Sequence, residues 1–465
     1  MPTFTATDLS TALSPCVEEN LRALACTSVS TDTRTLENGA VFIALQGERY
    51  DGHDFIPEAI ARGASALVLD ISRRGTVDTG SVPVFWVNST LDALAHLARF
   101  HRRRFRIPIV AVAGSVGKTT TKDIAAHLLS SHFTVHKTPG NWNNAIGVPL
   151  TLLGIEEHHT IAVVELGTNH PGEIAHLCSI AEPTHGVITA IAEEHLEFLG
   201  SLDGVEEEET ALFRWLTSVG GTACVNVDDE RLRRYASVLP SVITFGTDHS
   251  AMLQAMIRFD RETLYPLLEL QWQGQQVTAC VHQPGGAAAR CALAAAAVAL
   301  SVGLSAEAIA HGLATYRPAA PHGYARMVVQ KAAGGITILN DTYNANPASM
   351  RSAIETLAVY PARRRIAVLG DMRELGAAEH AAHCAIIQYA AERVDALIVI
   401  GAAMERAVET LKETIRIPVD IARGHSDAAR IIRSWTATGD AVLIKSSRSL
   451  ELERIIPLLG IDEQS

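Results

Sequence analysis

The stretch "AVAGSVGKTTTK", Ala111 to Lys122, decides the fold. Before it, Ile107-Pro108-Ile109-Val110-Ala111-Val112 is an apolar run that predicts a buried strand; after it, Thr119 to Leu129 sets Ile124, Leu128 and Leu129 on one helical face. Strand, glycine turn and helix start in that order form an anion cradle. Gly114, Ser115 and Gly117 can present backbone N–H groups at the positive end of the helix, Lys118 adds a cation, and Thr119 and Thr120 add hydroxyls, one suited to Mg²⁺. The strict phosphate-loop pattern would have glycine where this chain has Val112. Nucleotide phosphate is therefore the expected ligand, and an ordinary glycine turn with a solvent lysine is the alternative.

The rest of the chain extends the same architecture in both directions. At 465 residues it exceeds one ordinary core, and 48% hydrophobic residues can fill several. A net charge of −12 argues against nucleic acid as the main partner. Seven scattered cysteines without a C-x-x-C pair suggest reduced thiols. With no signal-like N-terminus and no apolar run of membrane-spanning length, a cytoplasmic protein without a membrane span is expected.

Residues 1–88 carry the strand-like runs "AVFIALQG", "ALVLD" and "VPVFWV". A helix over Leu91 to Arg104 follows, and the charges of its tail "HRRRFR" are expected to face solvent. From 89 to 317 strands and polar loops alternate ("IAVVELGTNHPGE", "HGVITAIAEEHLE", "GTACVNVDDE", "SVITFG"), which predicts a largely parallel sheet with ligand-binding loops at its carboxyl ends. "TLYPLLELQWQGQQVTACV" predicts a hairpin about a Gln-Gly turn, and an alanine-rich helix spans Ala287 to Leu300. "TYRPAAPHGY" marks the second boundary, and 318–465 repeats the pattern in "GITILNDTYNANP", "RRIAVLGDMRELG", "VDALIVIGAAM" and "DAVLIKSSRS". The expectation is α/β, in three domains.

Glu165 and His195 follow strands, where they could complete Mg²⁺ coordination on ATP, although a strand-end Glu often caps a helix and a single His is often structural. Asn141 and Asn144 in "GNWNNAIGVP", and Asn340, Asp341 and Asn344 in "NDTYNANP", could close on phosphate or ribose or could satisfy only their own turns. A helix should begin near Pro347.

Taken in order, "STDTR", "GSVGKTTTK", "GNWNNAIGVPLTLL", "ELGTNHPGEI", "HLEFLGS", "NDTYNANPASM" and "LGDMRELG" resemble the Mur ligases, and the similarity runs from about residue 28 to 455. The resemblance implies a small N-terminal UDP-substrate domain, a central ATPase domain and a Rossmann-like C-terminal domain that binds the acceptor. It implies a monomeric peptidoglycan-precursor ligase that uses ATP and Mg²⁺ to join D-alanyl-D-alanine to a UDP-muramoyl tripeptide through an acyl phosphate. On the matching positions, Lys118 neutralises the γ-phosphate, Thr119 and Glu165 hold one Mg²⁺ and His195 a second, Arg326 follows the hinge, and Asp341 contacts the nucleotide. Ser30, Thr31, Asp32, Thr33 and Arg34 match the UDP-binding turn.

Several positions depart from the family. Glu209 stands where the family has a carbamylated lysine, Ala288 and Cys291 stand where it has adenine-contacting asparagines, Glu193-Glu194 precede His195, and the C-terminal loop reads Lys445-Ser446-Ser447-Arg448. Glu209 is expected to supply the missing negative charge, ionised at pH 7 without CO₂. Of Glu206 to Glu209, helical spacing should point one or two inward and leave the rest in water. The departures also leave open a diverged relative with a different UDP-linked or peptide substrate, or a weakened UDP-sugar- and nucleotide-binding regulator.

Overall fold

The computed structural model describes residues 3–21, 24–47, 49–318 and 325–460. The chain forms two compact units, one of residues 1–111, 132–168 and 172–185, the other of 112–131, 169–171 and 186–465. Most of the boundary segment "TYRPAAPHGY" lies outside the described residues.

In the first unit, the runs read as strands are Ala40–Ile43, Ala66–Asp70 and Val84–Val87, the inner strands of a five-stranded sheet. Its order is Val17–Glu19, Val84–Val87, Ala66–Asp70, Ala40–Ile43, Ser28–Ser30, parallel throughout except at the first pair. Phe42, Leu67 and Trp86 fill one side of it. Both faces are covered, which is why these strands are unbroken apolar runs instead of alternating ones. A second parallel pair, Val135–Lys137 with Ile161–Glu165, carries Glu165 at its carboxyl end.

The helix expected over 91–104 spans Thr90–Arg102, capped by the Ser89 hydroxyl and buried through Leu94, Leu97 and Ala98. Its basic tail follows the sequence reading at Arg103, Arg104 and Arg106, which are exposed, and departs from it at His101 and Arg102, which are buried. Arg102 Nε donates to Ala181 O at 3.0 Å and Nη2 to Glu182 O at 3.3 Å, while Arg99 and Arg103 pair with the Glu182 carboxylate at 2.9 and 2.5 Å. The Glu173–Ala181 helix ends there, and its last carbonyls and negative dipole end draw the cation inward.

In the second unit, Thr222–Asn226, Val242–Gly246 and Leu253–Phe259 pair in parallel. The expected hairpin follows, Pro266–Trp272 with Gln275–Cys280, its tight turn made by positive φ at Gln273 (47°) and Gly274 (80°). The alanine-rich helix, Gly286–Ser301, packs on the Lys118–Leu129 helix. The last part is a six-stranded sheet ordered Val328–Ala332, Ile336–Asp341, Ala441–Lys445, Arg365–Gly370, Ala396–Ile400, Val419–Ala422, with only the first strand antiparallel. Leu339, Leu369, Leu397 and Leu443 fill one core and Ile338, Val368, Ile398 and Ile444 the other, so successive residues of each strand serve opposite faces. The helix expected near Pro347 is Pro347–Val359, with Asn346 as its cap.

Candidate active site

The phosphate loop connects the Ile109–Ala113 strand to the Lys118–Leu129 helix. Gly114 and Gly117 both have positive φ, and contact enforces the glycine: a Cβ at 114 would lie 2.4 Å from Thr189 Oγ1, and one at 117 would lie 2.8 Å from Cys291 Sγ. The loop is tied to residues 189–192, since Ser115 N donates to Ala190 O, Ala192 N to Ser115 Oγ, and Thr189 Oγ1 to Val116 O at 2.6 Å.

Three ionisable side chains converge on the loop. Glu209 Oε2 accepts from Gly114 N at 2.7 Å, Lys118 Nζ donates to Gly114 O, and the ammonium lies 3.7 Å from Glu194 Oε2 and 4.0 Å from Glu209 Oε1. Both glutamates are buried. Their carboxyls interact with each other, and no N–H or hydroxyl among the described residues reaches Glu194 Oε1 or Glu209 Oε1. Burial pushes Glu209 up to about 8 against the pull of Lys118, with Glu194 adding to the rise, and burial raises Glu194 as well. The expectation of a carboxylate already ionised at pH 7 is thereby corrected for the nucleotide-free protein.

This predicts a stability profile. Because the folded protein holds a proton at Glu209 that the unfolded chain releases near pH 4.3, the group's contribution is complete below that value and is lost as pH rises toward 8. The melting temperature of the nucleotide-free protein should therefore fall between pH 6 and 8, and Glu209→Gln should flatten that slope. Thermal melts of both proteins across that range check it.

The acidic run also differs from its reading. Glu206, Glu208 and Glu209 of the Leu202–Glu209 helix are buried, and Glu207 alone of the run is exposed. Glu206 is neutralised by Arg231 at 2.8 Å and by Arg234, and it accepts from the Tyr235 hydroxyl at 3.1 Å. Partners about a helix and a strand further along the chain permit what spacing alone argues against.

His195 takes a left-handed conformation (φ 47°) at the start of the Leu196–Leu199 helix. Its Nε2 lies 3.7 Å from Glu194 Oε2, and its Nδ1 lies 2.5 Å from Glu374 Oε2. The adjacent His195 ring holds Glu374 below the usual carboxylate range against partial burial, although Nδ1 lies outside hydrogen-bonding geometry. Glu374 is absent from the sequence reading, although it lies in the quoted "LGDMRELG". Arg326 Nη2 donates to Thr119 Oγ1 at 2.9 Å, and its guanidinium stacks 4.0 Å from the Tyr343 ring centre.

Around the second sheet's carboxyl end, Asp341 pairs at 2.7 Å with the buried Lys445, which also donates to Asn344 O. Asn340 is engaged by Thr342 and Gln330, and the Asn344 amide oxygen accepts from Ala345 N. Ala288 and Cys291 are buried on the Gly286–Ser301 helix, with Cys291 Sγ 3.7 Å from Gly117 O.

In the first unit, Asn141 is exposed, and Asn144 Oδ1 accepts from Ile146 N and Gly147 N at the start of the Gly147–Leu153 helix. The asparagine between them, Asn143, donates to Glu165 Oε1 at 2.9 Å. Three like residues in one turn gave no sign of which would face the strand end. Ser30 and Asp32 shape the turn holding Thr31 and the buried Thr33, and Arg34 is clamped by Asp32 at 2.6 Å with its side chain 84% exposed. An exposed guanidinium beside hydroxyls suits an anionic substrate.

No group of three His, Cys, Asp or Glu side chains among the described residues forms a ready-made metal cage. Mg²⁺ does not demand one, since it keeps waters and binds through one or two carboxylates plus substrate phosphates. The buried oxygens of Glu194 and Glu209 beside the phosphate loop fit that requirement. No helix among the described residues is long and apolar enough to cross a membrane.

Three family models match in chain order: Mur ligase family, catalytic domain, over residues 26–102; Mur ligase middle domain over 112–299; and Mur ligase, glutamate ligase domain, over 325–448. The chain belongs to the Mur ligase family and has its three-domain α/β architecture. It is 33% identical over 433 residues, 92% of each chain, to the UDP-N-acetylmuramoyl-tripeptide–D-alanyl-D-alanine ligase of Bacillus subtilis. Among solved structures it resembles MurF from Acinetobacter baumannii (TM-score 0.89, 27% identity, 99% of each chain). MurF from Thermotoga maritima, solved in complex with ADP, gives a TM-score of 0.80 at 29% identity over 93% of this chain and 96% of that one.

Proposed function

We propose that this chain is an ADP-forming ligase of peptidoglycan-precursor synthesis that joins D-alanyl-D-alanine to UDP-N-acetylmuramoyl tripeptide. The observation that carries the reading is the phosphate loop with Lys118, Glu209, Glu194 and Arg326 gathered on it, in a chain alike over nearly its whole length to proteins of that name. The tripeptide's terminal carboxylate oxygen attacks the γ-phosphorus of ATP and ADP leaves. The dipeptide's amine then attacks the acyl carbon, phosphate departs, and the nitrogen loses a proton as the amide forms.

The Gly117 N–H and the positive end of the Lys118–Leu129 helix hold the phosphates, with the Thr120 hydroxyl beside them, while the Gly114 and Ser115 N–H groups shape the loop by donating to Glu209 and Ala190. Lys118 meets the charge that builds on the γ-phosphoryl oxygens. Thr119, His195 and Glu209 are the groups that would hold Mg²⁺, which when bound neutralises phosphate charge. Arg326 orients the Thr119 hydroxyl, and Asp341, fixed by Lys445, faces the nucleotide. Ser30 to Arg34 take the UDP end. The working divisions are 1–88, 89–317 and 318–465, in a cytoplasmic monomer.

Phosphate release from ATP tests the reading, with UDP-muramoyl tripeptide and D-alanyl-D-alanine added singly and together. Release only with both is expected. ATP hydrolysis indifferent to either substrate, or none at all, would sink it.

A further inference from the structure

Gln283 is a buried amide for which core packing gives no reason. It lies between the Gln275–Cys280 strand and the Gly286–Ser301 helix, and no donor among the described residues reaches its Oε1. A buried carbonyl oxygen left without a donor costs stability, and an apolar side chain of the same length would avoid that cost. What the amide does have is one short bond, donated from Nε2 to Arg326 O at 2.6 Å. The side chain that makes it springs from a rigid corner. Gln283 N donates to Val281 O at 2.9 Å, Pro284 confines the Gln283 backbone to extended conformations, and Gly285 N donates to Leu264 O at 3.1 Å. Beyond that, glycine at 285 leaves no room for a Cβ against Thr356 Oγ1 of the Pro347–Val359 helix.

The segment that receives the bond is strained. Met327 follows Arg326 and belongs to the same core as Leu264, and its φ of 55° lies in the left-handed region that non-glycine residues rarely adopt. Turning the Arg326–Met327 peptide over would return Met327 to negative φ, as happens when one β-turn type becomes another, and would swing Arg326 O away from Gln283. The hydrogen bond therefore holds this peptide against its own preference. Arg326 in turn reaches the phosphate-loop helix. Its guanidinium donates to Thr119 Oγ1 at 2.9 Å and stacks on Tyr343, whose backbone N–H donates to Ala325 O at 3.1 Å.

We propose that Gln283 is a positioning residue for the ligation: by anchoring the Arg326 carbonyl it fixes the Arg326 guanidinium on the Thr119 hydroxyl. The inference rests on the reading of Arg326 and Thr119 as groups of the ATP site. Buried as it is, Gln283 touches neither substrate nor reacting atoms, and its effect passes through Arg326. It also ties the corner that opens the alanine-rich helix to the chain entering the first strand of the six-stranded sheet.

Gln283→Met keeps the length of the side chain and removes the donor. The variant should melt close to wild type, because the orphan oxygen is lost together with the bond. In the nucleotide-free protein the Tyr343 amide should exchange its hydrogen about tenfold faster, since the segment it bonds is no longer pinned. In ligation assays kcat should fall about tenfold with the KM for both peptide substrates unchanged, a loss of position and not of binding. In an Arg326→Ala background the same substitution should change kcat by no more than about twofold, because the side chain it positions is gone. Gln283→Leu should repeat each result. A folded Met or Leu variant at the wild-type rate, an unchanged Tyr343 amide, or the same tenfold loss in the Arg326→Ala background would overturn the proposal, and so would failure of both variants to fold, which would assign Gln283 to stability. Failure of the ligase reading would look different, as wild-type protein without substrate-dependent phosphate release.

Discussion

Lys118→Ala should lower the ligation rate by about a thousandfold, the effect of withdrawing a charged donor from oxygens whose charge grows in the transition state. Lys118 is the ammonium nearest the phosphate loop's carbonyl and lies within 4.0 Å of both buried glutamates. Its removal acts on the empty protein too. Without the ammonium, Glu194 and Glu209 face each other in a buried site, and both carboxyls hold their protons more firmly. The variant should therefore fold normally at pH 6 and lose stability at pH 8 more steeply than wild type. Lys118→Met, which keeps the apolar stem, should be equally inactive, showing that the loss is one of charge and not of packing. Steady-state phosphate release and thermal melts at the two pH values are the measurements. Turnover near wild type in either variant would remove Lys118 from the chemistry.

Glu209→Gln should cost about a hundredfold in ligation rate, a size typical of losing a group that orients a bound metal. The substitution keeps an oxygen to accept from Gly114 N, so the loop retains its shape and only the charge is lost. Burial pushes the Glu209 carboxyl up to about 8, so positive charge added near the loop favours its ionised form. The wild-type rate should also be indifferent to added bicarbonate, since a carboxylate needs no CO₂ to become an anion. If Glu209→Gln works normally and Glu194→Gln fails, the role belongs to the other member of the pair.

Much of this was legible in the chain because the information was local. Strands covered on both faces must be apolar throughout, so "ALVLD", "IAVVE" and "ALIVI" announce themselves, and the Gln273-Gly274 turn marks its own hairpin. The phosphate loop is legible for the same reason, as its glycines and lysine lie within one turn of chain. What escaped depends on partners far along the sequence. Arg102 is buried because a helix ends beside it, Glu206 because Arg231 and Arg234 come back to it, and Glu374 meets His195 only through the arrangement of two strand-end loops. Nor could spacing choose Asn143 over its neighbours, because the register of the Glu165 strand makes that choice.

The hairpin that follows the parallel strands of the second unit has a consequence for the order in which the chain assembles. Parallel neighbours such as Thr222–Asn226 and Val242–Gly246 can pair only after the segment between them has been closed into place, a slow, entropically costly search. Pro266–Trp272 and Gln275–Cys280 need only a two-residue reversal, and hairpins of that kind close within about 1–10 μs. Leu253–Phe259 pairs along its whole length with Pro266–Trp272 but meets Val242–Gly246 at only two positions, Phe245↔Leu253 and Gly246↔Gln254. Loop closure therefore favours the antiparallel strands as an early template on which the parallel part of the sheet, which leads toward the phosphate loop, can be laid down.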